Sequence, residues 1–214
     1  MGKFGTLSQK PEMLKLHTRG ISLVEVLIGV VLMSVAVLAF LCLYNTGQKY
    51  FVNQDARSDI LKDGRVTLSW LCRDIKESVR VVSGPVDIGG TAYSTAPDSI
   101  VLQVPSIDAD GLIIDVDTHF DYLVYRVNPD DTTELQRIVD GKDGVSYRLD
   151  GSRILAGNID SLVLSYLDTD GGTVADYADS AVVDIALTTL KEGVQRTYQE
   201  TITTRTKLRN KGVS

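Results

Sequence analysis

The longest apolar stretch of the chain runs from Ile21 to Tyr44 and contains one charged side chain, Glu25. As an α-helix at about 1.5 Å per residue, the stretch would be about 36 Å long, against a bilayer core of about 30 Å. A core helix of a soluble protein rarely stays apolar on all sides over such a length. The pattern therefore predicts a helix that spans a membrane.

The charges that flank this stretch predict its orientation. Glu12 is the one acid of residues 1–20, and the basic residues there are Lys3, Lys10, Lys15 and Arg19. The positive-inside rule then places residues 1–20 in the cytoplasm and the C-terminal bulk outside. A secretory signal peptide fits poorly, because its apolar region is shorter and ends in a small-residue cleavage site that is absent here.

Helical periodicity continues beyond the apolar stretch, over residues 45–82. Apolar or small residues recur there at spacings of three and four: Ile60, Gly64, Leu68, Leu71, Ile75 and Val79. No proline occurs between Pro11 and Pro85, so one helix is predicted from about Ser22 to about Val82. Cys42 and Cys72 would lie about 45 Å apart on it, which excludes a disulfide between them.

Residues 83–214 show a period of two, which is typical of strands. The strand candidates are Ile100–Val104, Leu112–Val116, Phe120–Val127, Glu134–Val139, Ser161–Leu167, Ala181–Leu187 and Arg196–Leu208. Turn residues between them favour antiparallel hairpins. Because the amphipathic part of the helix needs an apolar partner, we expect an α+β protein whose helix packs across an antiparallel sheet in a β-rich head.

A short motif joins the basic leader to the apolar stretch. Thr18-Arg19-Gly20 followed by Ile21–Ile28, ISLVEVLI, resembles the class III signal of type IV pilins and pseudopilins. The resemblance implies a pilin-like fold and a prepilin peptidase that cuts after Gly20. It also implies that Ile21 becomes the N-methylated first residue and that Glu25 is the filament assembly residue. Isoleucine stands where the family usually has phenylalanine.

Later segments look like those of J-type pseudopilins of type II secretion and W-type minor pilins: LCRDIKES at 71–78, FDYLVYR at 120–126, ILAGNIDSLVLSYLDTDG at 154–171 and KLRN at 207–210. The resemblance implies a single-pass protein of the inner membrane that enters a type IV pilus or a secretion pseudopilus. Its implied partners are the prepilin peptidase and methyltransferase, other pilin or pseudopilin subunits and the inner-membrane assembly platform.

Glu25 and the new amine of Ile21 would lie about one turn apart after cleavage. A carboxylate in a membrane-spanning helix is costly and usually has a partner. In a filament, Glu25 of an incoming subunit would meet the Ile21 amine of its neighbour, and each charge would satisfy the other. We therefore expect Glu25 to select one axial register between subunits.

The composition argues against catalysis and against a bound metal ion. The net charge is −6, with two cysteines and two histidines, which argues against nucleic-acid binding, a disulfide scaffold and a zinc cluster. The mature chain would keep one histidine, His119, and has no catalytic motif, so we expect no enzyme.

Two charged segments have competing interpretations. Asp168 and Asp170, with Asp176 nearby, form the best calcium candidate, but a solvated turn is the preferred interpretation. A basic tail also alternates along the last strand, with Arg205, Lys207, Arg209 and Lys211. It suits an acidic neighbouring subunit better than DNA.

The sequence thus predicts a leader at 1–20, a membrane or filament-core helix at 21–44, an amphipathic continuation at 45–82 and a β-rich external head at 83–214. The alternative is an uncleaved bitopic membrane protein whose external β-rich domain binds a ligand. The mass of the N-terminus separates the two hypotheses.

Overall fold

The computed structural model describes residues 22–114, 118–141, 145–193 and 196–209. The chain divides into two compact units, residues 1–48 and 49–214. The cleavage residues Gly20 and Ile21, and Lys211 of the basic tail, lie outside the described residues.

One long helix, α1, runs from Leu23 to Glu77. Its residues up to position 48 include none that is buried, whereas the later part buries a regular stripe. The buried residues are Ala56, Ile60, Gly64, Thr67, Leu68, Leu71, Asp74 and Ile75. The stripe predicted from helical spacing is therefore confirmed from position 60 to position 75, and it packs on the antiparallel sheets of the head.

The helix ends five residues before the predicted end near Val82, because the backbone changes partners there (82 − 77 = 5). Ser78 donates from both its backbone N–H and its hydroxyl to the Ile75 carbonyl. The Val79 N–H then donates to the Gln103 carbonyl at 2.8 Å, and the chain continues as a strand. Strand pairing replaces the last predicted helical turn.

Ten strands follow the helix in the part of the chain that the structure describes. They are β1 (Arg80–Val81), β2 (Val86–Ile88), β3 (Thr91–Tyr93), β4 (Ser99–Pro105), β5 (Phe120–Val127), β6 (Leu135–Asp140), β7 (Gly151–Ala156), β8 (Ile159–Leu167), β9 (Val182–Glu192) and β10 (Thr197–Lys207). A short 3₁₀ helix, Tyr177–Asp179, lies between β8 and β9.

The strands form two main antiparallel sheets rather than the single sheet that the sequence predicts. The first has the order β1-β4-β5-β6-β7, the second has the order β10-β9-β8, and β2 and β3 form a separate hairpin. The predicted strand at Leu112–Val116 is not a strand in its described part, since Ile113 makes only an isolated bridge to Ile107.

Both sheets contribute to the main hydrophobic core around the second half of α1. Leu71 and Ile75 of the helix, Leu123 of β5 and Leu187 of β9 are completely buried in one cluster. Gly64 faces β10 so closely that an added Cβ would lie 2.9 Å from Cδ1 of Ile202. The helix therefore approaches the second sheet at a position where only a hydrogen fills the space.

Candidate functional site

The first turn of α1 carries a reciprocal pair of hydrogen bonds between Ser22 and Glu25. The Ser22 N–H donates to Oε2 of Glu25 at 3.2 Å, and the Glu25 N–H donates to Oγ of Ser22 at 3.2 Å. This capping box satisfies two of the free N–H groups at a helix start. The carboxylate also lies where the helix dipole favours negative charge.

The capping box fixes where the predicted assembly glutamate points. The Glu25 carboxylate is exposed and is held against the helix terminus by its Oε2 atom. Among the described residues, Oε1 of Glu25 accepts no hydrogen bond. The site therefore presents a fixed carboxylate, one turn into the helix, with an oxygen available to a cationic partner.

The apolar segment that follows Glu25 has no partner within the described chain. Its most apolar 18-residue window has a mean hydropathy of 3.0 and is 0% buried. By length and composition the helix is a candidate for a single membrane span.

The hydroxyl groups of this segment bond to the helix itself. Ser34 donates to the Val30 carbonyl and Thr46 donates to the Cys42 carbonyl, both at 2.8 Å. Polar side chains in a lipid environment need such internal acceptors.

A buried polar network anchors the second half of α1 in the head. Oδ2 of Asp74 accepts from the Tyr125 hydroxyl at 2.6 Å and from Nη2 and Nε of Arg137, both at 2.8 Å. The Arg137 guanidinium also lies 5.8 Å from the centre of the Trp70 ring. Helix, β5 and β6 therefore meet at one carboxylate.

Burial within this network changes the acid–base behaviour of its members. Removal from water, followed by the nearby Asp74 charge, raises the pKa of Tyr125 well above its usual value of 10.0. For Arg137, burial lowers the pKa, but the Asp74 carboxylate and the Tyr125 oxygen raise it by more, so the net change is upward. The tyrosine stays neutral and the guanidinium stays charged at physiological pH.

The burial of Asp74 is unusual for a charged residue of an amphipathic helix. Such residues ordinarily face solvent, yet the side chain of Asp74 is 1% exposed. Its spacing of three from Leu71 was the available signal, because i and i+3 lie on one helix face. A carboxylate at an apolar position of a helical stripe can be buried when a cationic side chain from another element pairs with it.

The aspartates of the calcium candidate are engaged in local turns. Oδ1 of Asp168 accepts from the Asp170 N–H at 2.9 Å and from the Gly172 N–H at 2.8 Å. Asp176 caps the 3₁₀ helix and accepts from the Ser83 hydroxyl. No group of three or more His, Cys, Asp and Glu among the described residues could hold a metal ion.

Other residues of interest are separate from one another. His119 is half-buried and its ring nitrogen lies 2.7 Å from Oγ1 of the adjacent Thr118. In the basic tail, Arg205 pairs with Asp184 at 2.5 Å. Cys42 and Cys72 are both free, as their predicted separation requires.

No protein-family model and no curated protein matches the chain. The candidate site consists of a capped carboxylate at the start of a helix and an uncovered apolar surface behind it.

Proposed function

We propose that the chain is a structural subunit of the type IV pilin and pseudopilin class, either a minor pilin or a pseudopilin. In this proposal the prepilin peptidase cuts after Gly20, Ile21 is N-methylated, and the subunit joins a type IV pilus or a type II secretion pseudopilus. Before assembly, α1 holds it in the inner membrane with the N-terminus in the cytoplasm and the head in the periplasm. The role is mechanical and needs no cofactor.

The observation that carries the proposal is the junction between motif and helix. α1 begins at Leu23, three residues after the glycine of the motif, and Glu25 caps it (23 − 20 = 3). A cut after Gly20 would leave an α-amine within about one turn of a fixed carboxylate. The apolar surface behind it has the form that both a bilayer and a filament core require.

Glu25 has a defined task in this proposal. The free Oε1 atom accepts the Ile21 amine of a neighbouring subunit, and Oε2 keeps its bond to the Ser22 N–H. In a filament core of low dielectric constant, a carboxylate without a cation is strongly unfavourable. Only the axial register that brings amine and carboxylate together is then stable.

The first test is the chemistry of the N-terminus. The full-length chain is produced in bacterial cells with and without an active prepilin peptidase, and the intact mass of the purified protein is measured. We expect an N-terminus at a methylated Ile21 with the peptidase and an intact leader without it. An intact Met1 in both cells would overturn the proposal and favour the bitopic ligand-binding protein.

The second test separates the charge of Glu25 from its capping role. Glutamine can still accept the Ser22 N–H, as Glu and Gln both serve in capping boxes, but it carries no charge. We expect Glu25→Gln and Glu25→Ala both to be cleaved normally and both to lower the amount of assembled filament by about tenfold or more. Normal assembly of Glu25→Gln would show that capping, and not ion pairing, is the role of this residue.

A further inference from the structure

Exposed apolar side chains of the head concentrate in two segments. Outside α1, seven large hydrophobic residues are exposed in the described chain, and five of them lie in residues 106–114 and 145–150. These five are Leu112, Ile113, Ile114, Tyr147 and Leu149, and we call them the apolar tip. Concentrated exposed apolar surface usually marks an interaction site.

The two segments of the apolar tip are joined by backbone contacts. The Tyr147 N–H donates to the Ile107 carbonyl at 2.9 Å, and the Ile107 N–H donates to Oγ of Ser146 at 3.5 Å. Both segments leave the same end of the first sheet, because one follows β4 and the other follows β6. The two segments of the apolar tip therefore lie side by side at one end of the first sheet.

In the second segment, residues 145–150, polar side chains point inward and apolar side chains point outward, which is the reverse of the usual arrangement. Ser146 and Arg148 turn inward and bind Oδ2 of the completely buried Asp121 at 2.7 Å and 2.9 Å. Tyr147, which lies between these two residues, is 67% exposed, and Leu149, which follows Arg148, is 87% exposed. The polar residues hold the loop in place while its apolar residues point into solvent.

This arrangement is suited to binding, because its base is already ordered. Nη2 of Arg148 also donates to the Pro105 carbonyl at 3.2 Å, which fixes the loop to the end of β4. A partner would then cover apolar surface at little cost in chain entropy. Folding of the head gains nothing from Leu149 in its exposed position.

A second uncovered surface lies on the outer face of the second sheet. An open cavity of about 390 Å³ lies there, which we call the sheet groove. The side chains that line it from this face are Val163, Ser165, Asp184, Ala186, Thr203 and Arg205. Val163 is 49% exposed at its apolar floor. Ala186 lies opposite it on β9, and Thr203 lies opposite Ala186 on β10.

The two surfaces carry opposite charges at their edges. Asp108 and Asp110 form the turn that precedes Leu112 in the apolar tip. Beside the sheet groove, Lys207 and Arg209 are exposed, and no ion pair among the described residues engages them. Opposite charges at the rim of a contact favour encounter and correct register.

We propose that the apolar tip of one copy of the chain binds the sheet groove of a second copy. Both surfaces belong to the unit of residues 49–214, and both remain uncovered in a single chain. A contact between two different surfaces of identical molecules leaves one of each surface free and therefore extends to a third copy. This inference rests on the proposed filament role, in which neighbouring heads come together. An anionic membrane would repel the acidic turn.

The contact is tested by crosslinking two differently tagged full-length chains in membranes. In a Cys42→Ser, Cys72→Ala background, one chain carries Leu149→Cys and the other carries Val163→Cys, and a short bis-maleimide reagent is added. The matched control replaces Val163→Cys by Asp87→Cys, which is exposed on β2, away from the sheet groove. We expect mixed dimers from the 149–163 pair at about tenfold the yield of the control pair.

A charge exchange tests the orientation of the contact. Asp108→Lys and Asp110→Lys, introduced together in the chain that carries Leu149→Cys, should lower the yield of the crosslink between positions 149 and 163 about fivefold. Lys207→Glu and Arg209→Glu in the second chain should restore it. A yield equal to the control, or a loss without restoration, would overturn the contact. Stronger crosslinking between two copies of Leu149→Cys would also overturn it, since that joins tip to tip.

The N-terminal mass of the same samples separates this inference from the proposed function. A 149–163 crosslink in chains with an intact Met1 would support the contact and reject the filament role. A cleaved and assembled chain without the crosslink would do the opposite.

Discussion

The two halves of α1 differ in where their apolar side chains find a partner. Up to position 48 no described residue is buried, although the segment is apolar on all sides. From Ala56 to Ile75 the buried side chains form one stripe, and the sheets of the same chain cover Leu68, Leu71 and Ile75 within it. One helix therefore meets two environments, and among the described residues only the second is supplied by the chain itself.

The largest expected effect comes from breaking the buried network that anchors the second half. Asp74→Ala leaves the Arg137 guanidinium largely buried without its carboxylate, so we expect a loss of about 3–5 kcal/mol in the free energy of unfolding of the head. Urea unfolding of the full-length chain in detergent, followed by Trp70 fluorescence, measures it. Arg73→Ala, at an exposed position that also approaches Asp74, should cost less than about 1 kcal/mol. Equal losses would contradict this assignment.

A pair of substitutions can show that the halves face different solvents. We expect Val31→Arg to cost about 2.5–3.5 kcal/mol of membrane insertion, because a charge at the middle of a span is unfavourable. Leu71→Ala should cost about 2–5 kcal/mol of head stability by leaving a cavity. Membrane fractionation and urea unfolding are measured for both variants. We expect Val31→Arg to reduce recovery in the membrane fraction without lowering head stability, and Leu71→Ala to lower head stability without reducing that recovery. Loss of Leu71→Ala from the membrane fraction would contradict the division of the helix into two halves.

Two glycines allow the same change in each half. An added Cβ at Gly64 would lie 2.9 Å from Ile202, whereas nothing lies within 4 Å of the position that it would take at Gly47. Gly64→Leu should therefore lower head stability by about 1–3 kcal/mol through overpacking. Gly47→Leu should leave it unchanged within about 0.5 kcal/mol. Thermal unfolding of both variants measures this difference. A similar shift of the unfolding temperature in both variants would refute the expected difference between the two positions.

The smallest expected effect concerns alkaline pH. Because burial and Asp74 raise the pKa of Tyr125 in the folded head, the unfolded chain loses its tyrosine proton first. Tyr125 therefore keeps its full contribution below pH 10.0 and loses it as pH rises further. Tyr166, whose pKa burial also raises, behaves alike. We expect Tyr125→Phe to flatten part of the decline in stability between pH 9 and 11, measured by urea unfolding. An unchanged slope would count against the network.

Local patterns predicted those features that depend on a residue and its near neighbours. The apolar stretch, the stripe from Ile60 to Ile75 and the antiparallel strands β4, β5, β8 and β10 all follow from periodicities of 3.6 and 2. Strand β7 was missed, since its residues Gly151–Ala156 are mostly exposed and show no alternation. The pattern located the first helical turn, but the hydrogen bonds between Ser22 and Glu25 depend on side-chain positions that only the tertiary structure shows.

The sequence by itself determined that a long helix with an apolar first half precedes a β-rich head, and it placed Glu25 at the start of that helix. Only the tertiary structure decided that Asp74 is buried, that the strands divide into two sheets, and that Leu112 and Leu149 are exposed. The physical reason is that period and composition are local properties of the sequence, whereas the burial of a residue depends on which distant segment packs against it. Arg137 reaches Asp74, and Asp121 holds Arg148, across separations that no periodicity encodes.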